Sequence, residues 1–79
     1  MRIKTDKRIA GPIPSEAVVV ISTVEGEEQL VVHSSQVDER GVEVGFIRER
    51  NDDTLLVELP RETMSGRWRV WVPKSAVAA

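Results

Sequence analysis

Few side chains in this sequence belong to the types that carry out covalent or acid–base chemistry. There is no cysteine and no tyrosine, and one histidine, His33, is followed directly by Ser34 and Ser35. A zinc site needs several imidazole, thiolate or carboxylate ligands converging on one point, and His33 has no second histidine or thiol to join it. A serine nucleophile needs a base within hydrogen-bond reach and donors for an oxyanion. His33 and Ser34 fall at the end of an extended run, where neighbouring side chains leave on opposite faces, so they read as a polar strand end. The adjacent carboxylates Glu27 and Glu28, and Asp52 and Asp53, fall in turns, where water solvates both members and nothing poises either as an acid. The five glycines stand singly at turns rather than gathered before a helix, so no phosphate-cradling loop is present. These residues predict no enzyme activity, no cofactor and no metal.

One constellation is richer. In Arg67-Trp68-Arg69-Val70-Trp71, strand alternation places Arg67, Arg69 and Trp71 on the outer face and turns Trp68 inward. An exposed tryptophan flanked by guanidinium groups is suited to stacking on a base while holding its phosphates. Arg2, Lys4, Lys7 and Arg8 would add a phosphate-contacting arm. The competing reading pairs Arg69 with Glu58 across neighbouring strands and packs Trp71 on Leu56 and Ile47 inside a subunit interface. The formal net charge of −2 favours the second reading, because nucleic-acid surfaces carry net positive charge.

The elements that position these residues are strands. β-Branched residues cluster in short runs separated by Gly, Asn, Asp and Pro, and no window repeats apolar residues at helical spacing over three turns. A first strand is expected over about Ala17 to Thr23 and a second over about Glu28 to Ser34, joined at Glu25-Gly26. That turn pairs Ile21 with Leu30 and Val19 with Val32, and leaves Val18, Val20 and Val31 on an outer face that is also apolar. Further strands are expected at Val42 to Arg48, Thr54 to Leu59 and Arg67 to Val72. Their inner face carries Val42, Val44 and Phe46, then Leu55, Val57 and Leu59, then Trp68, Val70 and Val72. A tight turn at Asn51-Asp52 pairs Ile47 with Leu56, and the same face rule pairs Leu56 with Trp71. The row Ile47, Leu56, Trp71 then crosses three strands on the side expected to be wet.

The charge is unevenly distributed. Residues 1 to 11 hold Arg2, Lys4, Lys7 and Arg8 against Asp6 alone, whereas residues 12 to 44 hold seven acids against Arg40 alone. The prolines of Gly11-Pro12-Ile13-Pro14 impose an extended or turning path. The division expected is a basic, flexible N-terminal arm over 1–14 and one β-barrel domain over 15–79. The start of the chain lacks the apolar core of a signal peptide, and the run Ala17 to Ile21 is far shorter than the roughly 20 residues a spanning helix needs. A cytoplasmic address and no membrane partner are the default expectation.

Five short strands in this order, closing with Val72-Pro73, then Ser75 and Val77, resemble an SH3-like barrel. The likeness lies over Gly66 through Val77, where SH3 domains end in a strand, a proline and a 3₁₀ turn. It implies an all-β, five-stranded small barrel, with an OB-type barrel as the alternative. Peptide-groove residues do not carry over, since the sequence has no tyrosine.

A chain of 79 residues buries only about 60% of its unfolded surface, and without cysteines or a metal its remaining route to extra stability is association. The function expected is therefore a non-catalytic protein-interaction or assembly module. It would associate with itself or another protein through Ile47, Leu56 and Trp71, joined by Val18, Val20 and Val31. The alternative is a nucleic-acid-binding barrel using Arg67, Arg69 and Trp71 with Arg2, Lys4, Lys7 and Arg8.

Overall fold

Alternation of aliphatic with polar residues sets the strands, and glycines and polar pairs end them. The computed structural model describes all residues, 1–79. Its strands are β1 (Arg2–Ile3), β2 (Lys7–Ala10), β3 (Glu16–Thr23), β4 (Gly26–His33), β5 (Val37–Asp38), β6 (Gly41–Glu43), β7 (Gly45–Glu49), β8 (Thr54–Glu58) and β9 (Arg69–Pro73). Two 3₁₀ turns, Ser34–Gln36 and Lys74–Ala76, complete the elements. The fold is all-β. Its strands form three antiparallel sheets in the orders β1–β6–β5, β2–β3–β4 and β7–β8–β9, and none closes into a barrel.

The three sheets bury one cluster built from Ile3 of β1, Ala17, Val19 and Ile21 of β3, Leu30 and Val32 of β4, and aliphatic residues of the later strands. The expected inner face is seen for Val42, Val44, Leu55, Val57, Leu59, Val70 and Val72, all buried. Phe46 and Trp68, assigned to the same face, are 52% and 53% exposed. Phe46 lies on β7, the outermost strand of its sheet, so there is no further strand to cover it. Trp68 precedes β9 at the open end of that sheet, where its carbonyl accepts from Leu59 N–H at 2.9 Å.

Local geometry also departs from the expected registers. The hairpin turn lies at Val24-Glu25, with Thr23 opposite Gly26, because Gly26 (φ +124°) supplies the positive φ at the start of β4. Val19 therefore faces Leu30, and Ile21 faces Glu28. A shift of two residues keeps every side chain on its expected face. The expected strand Val42 to Arg48 divides at Val44: β6 pairs with β1 and β5, and β7 pairs with β8.

Within 1–14, expected as a basic, flexible arm, two segments pair as strands with the rest of the chain. Ile3, 1% exposed, is a core residue held between Val42 of β6 and a bridge to Val77. β2 pairs with β3 along its whole length, from Lys7↔Val20 to Ala10↔Ala17. Charged residues around Ile3 and Ile9 hide two-residue and four-residue strands whose partners lie elsewhere in the chain. After β9, the 3₁₀ turn Lys74–Ala76 returns Val77 to β1, and Ala78 N–H donates to the Arg2 carbonyl at 2.9 Å.

Candidate functional site

The tryptophan face is built on β7, β8 and β9. Leu56 stands opposite Trp71, as the face rule requires. Ile47 does not sit in a plain row with them. The ladder shifts by one residue between Phe46 and Arg48, so Ile47 is the extra residue of a bulge and Arg48 takes the place opposite Leu56. Ile47 is 37% exposed, while Leu56 and Trp71 are half-buried. Their cover comes from arginines. The Arg50 guanidinium lies 3.9 Å from the Trp71 ring centroid and that of Arg48 lies at 5.6 Å, a cation–π arrangement. Arg50 is itself fixed by Thr54 Oγ1 at 3.1 Å and by Asp52 at 3.4 Å. The Thr54 hydroxyl, donating to Asp52, holds that carboxyl below the usual range, with the Arg50 charge adding to the effect.

Of the cations proposed for phosphate contact, Arg67, Arg69, Arg2 and Lys4 are engaged within the chain, whereas Lys7 and Arg8 have no side-chain partner. Arg69 pairs with Glu58 across β8 and β9 at 3.2 Å. Arg67 reaches both Glu25 and Glu28, and the Glu25 carboxylate, accepting from Arg67 and opposite in charge, raises the guanidinium pKa further. Arg2 donates to the carbonyls of Gln36 and Gly41 and pairs with Asp38, and Lys4 donates to the Ser75 carbonyl.

The segment between β8 and β9 is tied down by polar groups that the sequence pattern does not reveal. Ser65 Oγ donates to Glu28 at 2.6 Å, Thr63 and Ser65 hydroxyls lie 3.1 Å apart, and Met64 N–H donates to the Gln29 carbonyl at 2.8 Å. Hydrogen bonds from Ser65 and Thr63, then the Arg67 charge, hold the Glu28 carboxyl below its ordinary value against the opposing effect of burial. This network covers the free side of β4 at Gln29.

His33 and Ser35 form the one histidine–serine contact, Nδ1 to Oγ at 2.7 Å. Nδ1 also accepts from Ser35 N–H at 3.1 Å, and the Gln36 side chain accepts from His33 N–H, a reciprocal cap on the 3₁₀ turn Ser34–Gln36. The imidazole works as a cap: it is exposed, and no third side chain orients its other nitrogen. No group of three or more His, Cys, Asp or Glu is placed to hold a metal ion. Shallow grooves flank Phe46, walled by Met1, Leu59 and Pro60 on one side and by Leu55 and Val77 on the other, without a convergent polar set.

The outer face of β2–β3–β4 is different, because no charged side chain lies over its centre. Ile9, Val18 and Val31 stand opposite one another across the three strands and so share a face. Val20 extends the patch along β3. Ile9 is 50% exposed, and Val18, Val20 and Val31 are half-buried. Lys7, Gln29, Glu16 and His33 occupy neighbouring positions of the same face and form a polar rim. Ile9 escapes a reading of the sequence alone because Lys7 and Arg8 precede it, yet its alternation with them is the strand signal. No helix is long and apolar enough to cross a membrane. Comparison with family models, with curated proteins and with solved structures gives no match.

Proposed function

We propose that this chain is a non-catalytic interaction and assembly module that pairs with a second copy through the outer face of β2–β3–β4. The observation that carries this reading is the solvent-facing row Ile9, Val18, Val31, extended by Val20 and rimmed by polar residues. An apolar centre with a polar rim is the anatomy of a protein interface. A chain of this length, without disulfides or a metal cluster, gains most from burying such a patch. The row Ile47, Leu56, Trp71 is a weaker candidate, since Arg48 and Arg50 cover its tryptophan. At the level of fold we read the arrangement as an SH3-like small barrel opened into three sheets, supported by the Pro73, 3₁₀ turn and Val77 ending. A cytoplasmic address goes with this reading.

Sedimentation equilibrium tests it. The chain is expected to show a concentration-dependent dimer, and Val31→Asp, on the face of β4 turned away from the core, is expected to give a monomer. A wild-type monomer at about 1 mM would sink the proposal. A second reading, single-stranded nucleic acid stacked at Trp71 with Arg48 and Arg50, rests on the arginine–tryptophan contact. It predicts salt-sensitive quenching of tryptophan fluorescence by oligonucleotides.

A further inference from the structure

Strand β2 is a sheet edge, paired with β3 on one side and open on the other. All four of its residues are exposed. Gly11 N–H donates to the Glu16 carbonyl at 3.0 Å, and the same register runs unshifted through Ile9↔Val18 to Lys7↔Val20. Alternate residues of an antiparallel ladder turn their backbone groups toward the partner strand. Lys7, Ile9 and Gly11 therefore direct theirs at β3, and Arg8 and Ala10 direct theirs outward, where no turn or loop hydrogen bond reaches them. Exposed edges are usually kept from indiscriminate pairing by a bulge, a proline, a covering loop, short length or edge charges. β2 has the last two, being four residues long with Lys7 and Arg8, which admit only a segment of opposite sign. β7 has its bulge at Ile47 and β4 receives Met64 N–H at Gln29, whereas β2 keeps one register from Lys7 to Ala10, with Asp6 N–H also bonding to the Val20 carbonyl before it and Pro12 following it.

The charges at this edge are equally distinctive. Of the eleven lysines and arginines, seven make ion pairs, Lys4 donates to a carbonyl and Arg48 lies over Trp71. The two left without any partner are Lys7 and Arg8, adjacent on this edge. They point to opposite faces of the strand, Lys7 with Val20 and Arg8 with Val19.

We propose that β2 accepts an extended acidic segment of a partner protein, which adds to the β2–β3–β4 sheet as a fourth strand. Backbone groups of Arg8 and Ala10 supply the ladder, and side chains supply the specificity. In antiparallel register the segment reads aliphatic, acid, acid: an aliphatic residue opposite Ile9, a carboxylate opposite Arg8 and a second opposite Lys7. Two consecutive acids are required because the two cations lie on opposite faces. A groove of about 620 Å³, walled in part by Arg8, Ala10, Ile13 and Ala17, leaves room beside this edge. A second copy is the poorer occupant here, since its β2 brings only cations, Lys7 and Arg8, and no carboxylate to the edge. The proposal uses the edge of the sheet, whereas the proposed dimer uses its face, and the two share Ile9 alone.

The test is an NMR titration of the ¹⁵N-labelled full chain with the capped peptide Ser-Thr-Val-Glu-Glu-Thr-Ser. The Arg8 and Ala10 amides are expected to shift and to exchange more slowly with solvent. A scrambled peptide, and one with Lys-Lys in place of Glu-Glu, should bind at least about tenfold more weakly. The double variant Lys7→Glu, Arg8→Glu should reverse that preference, a gain of binding that a folding defect cannot mimic. Ala10→Pro, which removes an outward N–H and keeps both cations, should abolish binding, while Val31→Asp should leave it intact. Absence of shifts at about 1 mM peptide overturns the proposal, as do shifts centred away from β2 or equal binding of the Lys-Lys peptide. Protection of the Arg8 and Ala10 amides that rises with protein concentration alone would give the edge to a second copy and overturn it too.

Discussion

Of the five glycines, Gly41 leaves the least room for a side chain. Its φ is +128°, and a Cβ added there would fall 1.9 Å from the Ile3 carbonyl oxygen, a main-chain atom fixed by pairing on both sides. Gly41→Ala is expected to cost about 3 kcal/mol in urea unfolding, from a disfavoured φ and from separation of β1 and β6. A cost under about 0.5 kcal/mol would contradict that close approach. Glu28 makes a different prediction. Held below its ordinary pKa by Ser65, Thr63 and Arg67, it favours the folded chain above the unfolded carboxyl pKa. That contribution disappears as pH falls through the folded value. The wild-type melting temperature should therefore drop between about pH 6 and about pH 3 more steeply than that of Glu28→Gln, which lacks the contribution throughout. Equal slopes would remove Glu28 from the account. Neither residue declares itself in the sequence: Gly41 resembles any turn glycine, and the partners of Glu28 lie 35 or more positions along the chain.

At the scale of elements, the legible parts are those where alternation is long and uninterrupted. Val18 to Ile21, Leu30 to Val32, Leu55 to Leu59 and Val70 to Val72 fall on the faces their period assigns, and the pairing of Leu56 with Trp71 follows from it. Legibility fails where a single residue changes the count. The extra residue Ile47 breaks the row expected from the Asn51-Asp52 turn, and moving the hairpin turn to Val24-Glu25 shifts its register without changing its faces. It fails also for strands too short to show a period. β1 has two residues, and its assignment rests on Val42 and Val77, which no local window connects to Ile3. Ile3→Ala is expected to destabilise the chain by about 3 kcal/mol in chemical unfolding, the cost of emptying a fully buried site. A change within about 0.5 kcal/mol would return the first residues to the status of an arm.

For the whole molecule, the question is what holds a 79-residue chain with three small sheets and neither a disulfide nor a metal cluster. Its core is a single cluster of 14 aliphatic residues, all small or medium in size, with both tryptophans and the one phenylalanine outside it. Such a core gives a modest margin, because the surface buried per residue is low at this length. Outside it, the ion pairs lie at the surface and contribute little each. The apolar face of Ile9, Val18, Val20 and Val31 is then a further source of burial, and pairing through it would add stability by mass action. Association that favours the folded state makes the melting temperature rise with protein concentration. Between about 10 µM and about 1 mM the wild-type chain is expected to gain several degrees, and Val31→Asp to gain none. Because the proposed contact would be apolar and not ionic, raising the salt from about 0.1 M to about 1 M should leave the wild-type gain intact. A gain that salt removes would place the association on the charged surfaces instead, and a melting temperature independent of concentration would leave the face to a different protein.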